Sequence, residues 1–188
     1  SHSTIKLIHN LLYPSFEMAV DDDIIRKNPA KDALGDNGEP AKEKMALTPS
    51  QQNRLLSFVE QSSVYNVYLP MLQIMIGTGC RCGELIGLTW ADVDMEKKEV
   101  SISCQLIYKN YGDGYKFHVS TPKTDAGIRK IPMSETVYKA FAAQKRQNFL
   151  QRIPRNVEIE GRTDFIFMSK NGRPLMPSAV NNVLYNIL

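Results

Sequence analysis

The sequence feature that most constrains the fold is an almost wholly apolar segment at residues 68–77. A helix formed by this segment has no polar face, so the rest of the chain must cover it on every side. Glycines at 77 and 79 end the helix. The chain has 188 residues, of which 43% are hydrophobic, and this is enough for one full domain with a buried core. The apolar residues of the segment are Leu69, Leu72, Ile74, Met75 and Ile76.

The residues before this helix predict two further parts of the chain. Apolar residues recur at helical spacing from Ile5 to Ala19, and Pro14 is expected to kink or interrupt that helix. Because a lone helix cannot bury its own apolar stripe, residues 1–30 are interpreted as the end of an upstream helical domain. Residues 31–47 are rich in Gly, Pro and charge, which predicts a linker. A capping-box sequence at 48–51 then begins the next domain, residues 48–188.

The second half of the chain predicts a small sheet followed by helices. Alternating apolar residues from Val100 to Leu106 predict one strand, residues 115–120 a return strand, and residues 128–131 a third. Ser134 caps a helix over roughly 135–152, and Pro177 begins a last helix. This order predicts an α+β fold, mainly α, with a small antiparallel three-stranded sheet.

Composition excludes several classes of protein. No apolar run approaches the ~20 residues that a membrane-spanning helix needs, so no membrane association is expected. The chain has three cysteines and no secretion signal, which favours reduced thiols and a cytoplasmic location. Cys80 and Cys82 are too closely spaced for a zinc fold, so no metal site is expected.

Charge is distributed unevenly along the chain. Residues 121–155 carry a net charge of +6, and the remainder carries −3. One basic block on a slightly acidic body is what a polyanion-binding face requires. The alternative is that these lysines and arginines only form the solvent-exposed faces of helices, and charge alone favours this second interpretation.

Two basic residues lie where they could perform chemistry. Arg81 stands between Gly79 and Gly83 at the start of a short helix, a position suited to holding an oxyanion such as phosphate. Glu84 could orient that guanidinium, and an ordinary structural ion pair is the competing interpretation. Lys123 occupies a hairpin tip and could protonate a leaving oxygen, although most such lysines only aid solubility.

Several motifs resemble those of the tyrosine recombinases, the phage integrase family. The run from Thr78 to Leu85, with Leu88-Thr89-Trp90 after it, resembles the family's first arginine box. Residues 121–132 look like its hairpin lysine box, and residues 165–174 are similar to the stretch before its second arginine box. The resemblance extends over nearly the whole chain and is closest to integrases of conjugative transposons and prophages.

This resemblance implies a mechanism in which a tyrosine attacks a DNA phosphodiester to give a 3′-phosphotyrosyl link. It assigns Arg81 as the first catalytic arginine, Lys123 as the general acid and Glu84 as a supporting residue. Arg129 and Lys130 are expected to bind DNA. No metal or other cofactor is implied, because the covalent link conserves the bond energy.

The resemblance also implies an organisation for the protein and its partners. Residues 1–30 correspond to the end of the core-binding domain, and residues 48–188 to the N-terminal part of the catalytic domain. The expected partner is a double-stranded DNA attachment site, bound by a tetramer of the parent protein. This chain alone is expected to be monomeric.

The family's remaining catalytic residues are expected to follow the last helix. These are a His-x-x-Arg box and the nucleophilic tyrosine, and the chain ends at Leu188. Tyr185 comes too early to be the nucleophile and is expected to pack in its helix. We therefore expect a fragment, incomplete at its C-terminus, that does not recombine DNA by itself. A non-catalytic DNA-binding module is the main alternative, and an interaction domain that binds no DNA is a third.

Overall fold

The computed structural model describes residues 2–34, 45–122, 127–152, 154 and 156–188. The chain divides into two compact units, Ser1–Leu47 and Thr48–Leu188. The predicted linker, residues 31–47, includes residues 35–44, which lie outside the described ranges.

The first unit contains one long helix, α1 (His2–Asp21), followed by a short irregular segment. The helix continues through Pro14, so this proline does not interrupt it. The segment after the helix folds back on it through Asn28, whose side-chain amide donates to the Tyr13 carbonyl over 3.0 Å and to Glu17 over 2.7 Å. The helical spacing recognised in the sequence is therefore confirmed for this unit.

The second unit begins with α2 (Pro49–Gln61), whose start has the predicted capping box. The Gln51 backbone N–H donates to Thr48 Oγ1 over 3.3 Å, and the Thr48 backbone N–H donates to Gln51 Oε1 over 2.8 Å. A 3₁₀ turn (Asn66–Tyr68) leads into the apolar helix α3 (Leu69–Thr78), which is followed by the short helix α4 (Cys82–Gly87).

Two longer helices complete the second unit. Helix α5 (Glu135–Gln151) starts at Ser134, whose hydroxyl accepts the Val137 N–H over 3.3 Å. Helix α6 (Pro177–Ile187) is the last element. In the part of the chain that the structure describes, no helix is both long enough and apolar enough to cross a lipid bilayer.

Among the described residues, the strands form two antiparallel sheets. A three-stranded sheet has the order β1 (Val93–Asp94), β2 (Glu99–Ile102) and β5 (Arg129–Pro132). A separate hairpin pairs β3 (Gln105–Asn110) with β4 (Tyr115–Ser120). In the register of the first sheet, Ile102 lies opposite Arg129 and Ser101 opposite Lys130. The mainly helical α+β fold with small antiparallel sheets is thus confirmed.

The make-up of the sheets differs from the prediction. The predicted return strand, residues 115–120, pairs with β3 in the separate hairpin, and β1, which was not predicted, is the third strand of the three-stranded sheet. The segment from Val100 to Leu106 is two strands, because the chain changes partners at residues 103–104. Val100, Ile102, Cys104 and Leu106 are all buried, so the apolar alternation continues across the change. Alternation reports which face is buried and carries no information about which strand lies alongside.

Helix α3 lies in the core of the second unit, where Met71, Leu72 and Ile74 are buried, but it is not covered on every side as predicted, because Ile76 near its end is 37% exposed. Helix α3 packs against α5, and α4 packs against β3. At Gly83, an added Cβ would lie 3.0 Å from the Leu106 carbonyl oxygen, so α4 and β3 approach backbone to backbone. This close approach fixes the position of α4, which carries the candidate site. The largest fully buried side chains are Phe141, Phe165, Leu72, Ile74, Leu85 and Ile86.

A polar cluster around Asp92 joins the residues after α4 to the segment before α6. Asp92 Oδ2 accepts the Thr89 N–H and the Thr89 hydroxyl, each over 2.8 Å, and forms an ion pair with Arg162. The Ile166 N–H donates to the Leu88 carbonyl over 2.9 Å. Both members of the Asp92–Arg162 pair are largely shielded from solvent.

Candidate functional site

Arg81 is placed by the turn between α3 and α4. Helix α3 ends at Gly79, whose φ of 62° is left-handed and whose N–H donates to the Met75 carbonyl over 3.0 Å. Only glycine adopts this conformation without strain, so the chain turns here and Arg81 stands directly before α4. The Arg81 side chain is 74% exposed, which makes its guanidinium accessible to a ligand in solution.

Glu84 holds Arg81 at two points. Its Oε2 accepts the Arg81 backbone N–H over 2.9 Å, and its Oε1 accepts Arg81 Nη1 over 2.9 Å. The Glu84 side chain is only 4% exposed. A buried carboxylate thus fixes both the backbone and the head group of an exposed arginine.

A second arginine, Arg129 on β5, binds the same carboxylate. Its Nη2 donates to Glu84 Oε2 over 2.8 Å and its Nη1 to Glu84 Oε1 over 3.3 Å. Nη1 also donates to the Gly127 carbonyl over 3.2 Å. The sequence analysis missed this contact, because 45 residues separate the partners and no local spacing links them.

The three side chains form a cationic cluster around an ionised carboxylate. Burial raises the pKa of Glu84, but the hydrogen bonds from Arg129 and Arg81 outweigh burial and lower the pKa to about 2. The hydrogen bond to Glu84 raises the pKa of Arg129 above its usual value. Two guanidinium groups share one carboxylate, so the cluster is net positive at neutral pH and suited to an anion.

The cysteines that flank Arg81 are not prepared for chemistry. Cys80 is buried, and Thr78 Oγ1 lies 3.1 Å from its Sγ. Burial raises the pKa of both the Cys80 and the Cys82 thiol, so neither is an activated nucleophile. Within the described ranges, no group of three or more His, Cys, Asp or Glu side chains could hold a metal ion.

Lys130 follows Arg129 on β5 and has a different environment. Its side chain is 71% exposed, and its Nζ lies 3.9 Å from Glu99 Oε2. Successive strand residues point to opposite faces, so the structure does not bring Lys130 into the Glu84 cluster. The predicted general acid Lys123 lies outside the described residues.

Other residues considered in the sequence have structural surroundings of their own. Within the basic block, Lys145 Nζ lies 5.5 Å from the centre of the Trp90 ring, and Lys139 lies 3.8 Å from Glu135. Tyr185 is 84% exposed on α6, so its side chain does not pack as expected.

Comparison with known proteins gives the same family from sequence and from structure. Residues 45–188 match the model of the phage integrase family. The transposase from transposon Tn916 of Enterococcus faecalis is 34% identical over 192 residues, covering 100% of this chain and 45% of the transposase. This chain therefore spans about half the length of the curated relatives that it matches.

Two solved structures extend the comparison. A Tn1549 transposon integrase in complex with a circular intermediate DNA has a TM-score of 0.79 at 34% identity, covering 99% of this chain and 58% of that one. A lambda integrase dimer bound to a core site has a TM-score of 0.59 at 16% identity, covering 99% of this chain and 45% of that one, and shows the shared fold alone. By its family match, its sequence identity and its fold, the chain belongs to the phage integrase family of tyrosine recombinases.

Proposed function

We propose that this chain is part of a site-specific recombinase that cleaves and rejoins double-stranded DNA for the integration and excision of a mobile element. The observation that carries the proposal is the exposed Arg81 guanidinium, held at two points by the buried carboxylate of Glu84. Such a group is fixed before the ligand arrives, as stabilisation of a developing negative charge requires.

In the proposed reaction, a tyrosine oxygen attacks the scissile phosphorus and the 5′-oxygen of the next nucleotide leaves. Arg81 holds the non-bridging oxygens and stabilises their charge in the transition state. Lys123 gives its proton to the leaving 5′-oxygen. The bond energy is retained in the 3′-phosphotyrosyl link, so the reaction needs neither a nucleotide cofactor nor a metal ion.

The same proposal assigns the parts of the chain and its surroundings. Residues 1–30 are the end of a core-binding domain, and residues 48–188 are the N-terminal part of the catalytic domain. The partner is a DNA attachment site in the cytoplasm of a bacterial host. The active assembly is a tetramer on DNA, and this chain alone is a monomer.

A salt titration of DNA affinity tests the proposal with the chain as it exists. Fluorescence anisotropy of a labelled mixed-sequence duplex should give a log-log salt slope of about −0.9 for each phosphate neutralised. Lys130→Gln should reduce the slope by about 0.9 if this exposed lysine contacts a phosphate. Lys97→Gln removes the same charge from a turn where Lys97 lies 3.4 Å from Asp94, and it should leave the slope unchanged. A flat titration of the unaltered chain would contradict any DNA-binding role.

Arg81→Ala separates catalysis from simple phosphate binding. In a protein that carries this chain together with the tyrosine nucleophile, the substitution should abolish cleavage of a labelled attachment-site duplex but weaken DNA affinity only about tenfold, so that most of the binding free energy remains. Equal losses of cleavage and affinity would instead favour a non-catalytic DNA-binding module in which Arg81 only binds phosphate.

A further inference from the structure

The two arginines on Glu84 differ in how much of each side chain faces solvent. The Arg81 side chain is 74% exposed and the Arg129 side chain is 30% exposed, although both guanidinium groups donate to the same carboxylate. Arg129 contacts both carboxylate oxygens and also the Gly127 carbonyl. Three of its five N–H donors are therefore committed to the protein, whereas Arg81 is the more exposed member of the cluster.

A direct contact between DNA and the Arg129 donors that hold Glu84 would require the cluster to open. Glu84 is 4% exposed, and it would lose the partner that binds both of its oxygens. Removing one partner from a buried ion pair leaves charge that water cannot solvate, which is strongly unfavourable. The neighbouring Lys130 is 71% exposed and can reach a phosphate without such a loss.

We propose that Arg129 is a positioning residue, which stays on Glu84 when DNA is bound and acts on the phosphate only through Arg81. The inference rests on the proposed function, because it assumes that Arg81 grips a DNA phosphate. The sequence analysis expected both Arg129 and Lys130 to bind DNA. In this proposal, only Lys130 contacts a DNA phosphate directly.

The charge-conserving variant Arg129→Lys tests this assignment. A lysine at a phosphate contact still binds as a point charge, so a direct role predicts little change in DNA affinity. A positioning role needs the planar fork that binds both oxygens of Glu84, which lysine lacks. We therefore expect Arg129→Lys to weaken DNA affinity about fivefold, within the range of coupling found for residues of one charged network.

Repeating the substitution in the Arg81→Ala background gives the decisive comparison. If Arg129 acts through Arg81, Arg129→Lys should then change the affinity by less than about twofold, because its target is gone. Lys130→Gln is the matched control on the same strand, and it should cost the same factor with and without Arg81. Arg129→Gln, which removes the charge, should show the same dependence on Arg81 with a larger loss.

An NMR measurement on the unaltered chain tests the same assignment if the variants fold poorly. In the unaltered chain with isotope-labelled arginine, the side-chain Nε–H resonance of Arg81 should shift on addition of the DNA duplex, and that of Arg129 should stay in place. A shift of Arg129 as large as that of Arg81, or equal losses from Arg129→Lys in both backgrounds, would overturn the positioning role. A flat salt titration of the unaltered chain would instead remove the proposed function itself.

Discussion

Two carboxylates in the second unit, Glu84 and Asp92, are largely shielded from solvent and paired with arginine, and the two pairs differ in how far the arginine is exposed. At Glu84, the carboxylate is 4% exposed and the Arg81 side chain 74% exposed. At Asp92, the carboxylate is 11% exposed and its partner Arg162 is 22% exposed. Arg162 also approaches the Gly87 carbonyl over 3.4 Å, so its interactions are directed into the protein.

The comparison shows that an arginine–carboxylate pair alone does not mark a functional site. Each carboxylate binds an arginine that is distant in sequence, Arg129 at Glu84 and Arg162 at Asp92, and each also accepts a backbone N–H. Only the Glu84 cluster presents an exposed guanidinium that a rigid, buried anion holds in place. The Asp92 cluster instead fastens the segment around Arg162 to the end of α4, and its role is structural.

The largest expected effect is loss of stability on breaking the Asp92 cluster. Arg162→Met leaves the Asp92 carboxylate buried without its cation, which should lower the free energy of unfolding by about 3–5 kcal/mol. Chemical denaturation monitored by circular dichroism measures this loss. A loss below ~1 kcal/mol would show that the Asp92 pair behaves like a surface ion pair, and the comparison would fail.

The next effect is a pH dependence that belongs to Glu84. Its folded pKa of about 2 lies below the ordinary value of 4.5, so the unfolded chain takes up the proton first as pH falls. The resulting stability is fully present above pH 4.5 and is lost progressively toward pH 2. It should amount to about 3 kcal/mol by linkage.

Glu84→Gln should remove this part of the acid-induced loss. The control is Glu135→Gln, which alters an exposed carboxylate in ion pairs with Lys98 and Lys139 and should leave the pH profile nearly unchanged. Denaturation curves collected between these pH values compare the three proteins. Parallel stability profiles for the unaltered chain and Glu84→Gln would contradict the ionised state of Glu84.

A smaller effect is expected from displacing the helix that carries Glu84. The Cβ added in Gly83→Ala would lie 3.0 Å from the Leu106 carbonyl oxygen and 3.3 Å from Gln105 Cβ. Overpacking against backbone should cost about 1–2 kcal/mol and should also weaken DNA affinity through Arg81. Ser57→Ala on the exposed face of α2 is the control and should change stability by less than ~0.5 kcal/mol. Full retention of stability and affinity in Gly83→Ala would show that α4 can shift freely.

The smallest effect on stability is expected at Arg81, although its functional role is the largest. Arg81→Met removes an exposed partner while Arg129 still binds both oxygens of Glu84, so the change should stay below about 1 kcal/mol. The same denaturation assay applied to Arg162→Met makes the comparison direct. A loss at Arg81 as large as at Arg162 would mean that both clusters are structural.

The sequence was sufficient to predict structure wherever the interactions that determine it are local. The capping box at Thr48, the apolar helix α3 and the pairing of Arg81 with Glu84 all join residues within one or two helical turns. Periodicity and spacing report such contacts directly. The family motifs were local in the same sense, because the first arginine box lies within α4 and the turn before it.

Only the tertiary structure decided how distant segments meet. The change of strand partner at residues 103–104 left the buried alternation intact, so no periodic signal marked it. Arg129 reaches Glu84 because β5 pairs with β2 in one register and α4 packs closely against β3. A register shift by one residue would turn Arg129 to the other face of the sheet and bring Lys130 to this one. The sequence by itself therefore determined Arg81 and its pairing with Glu84. Long-range strand pairing decided that Arg129 is the second cation that binds Glu84.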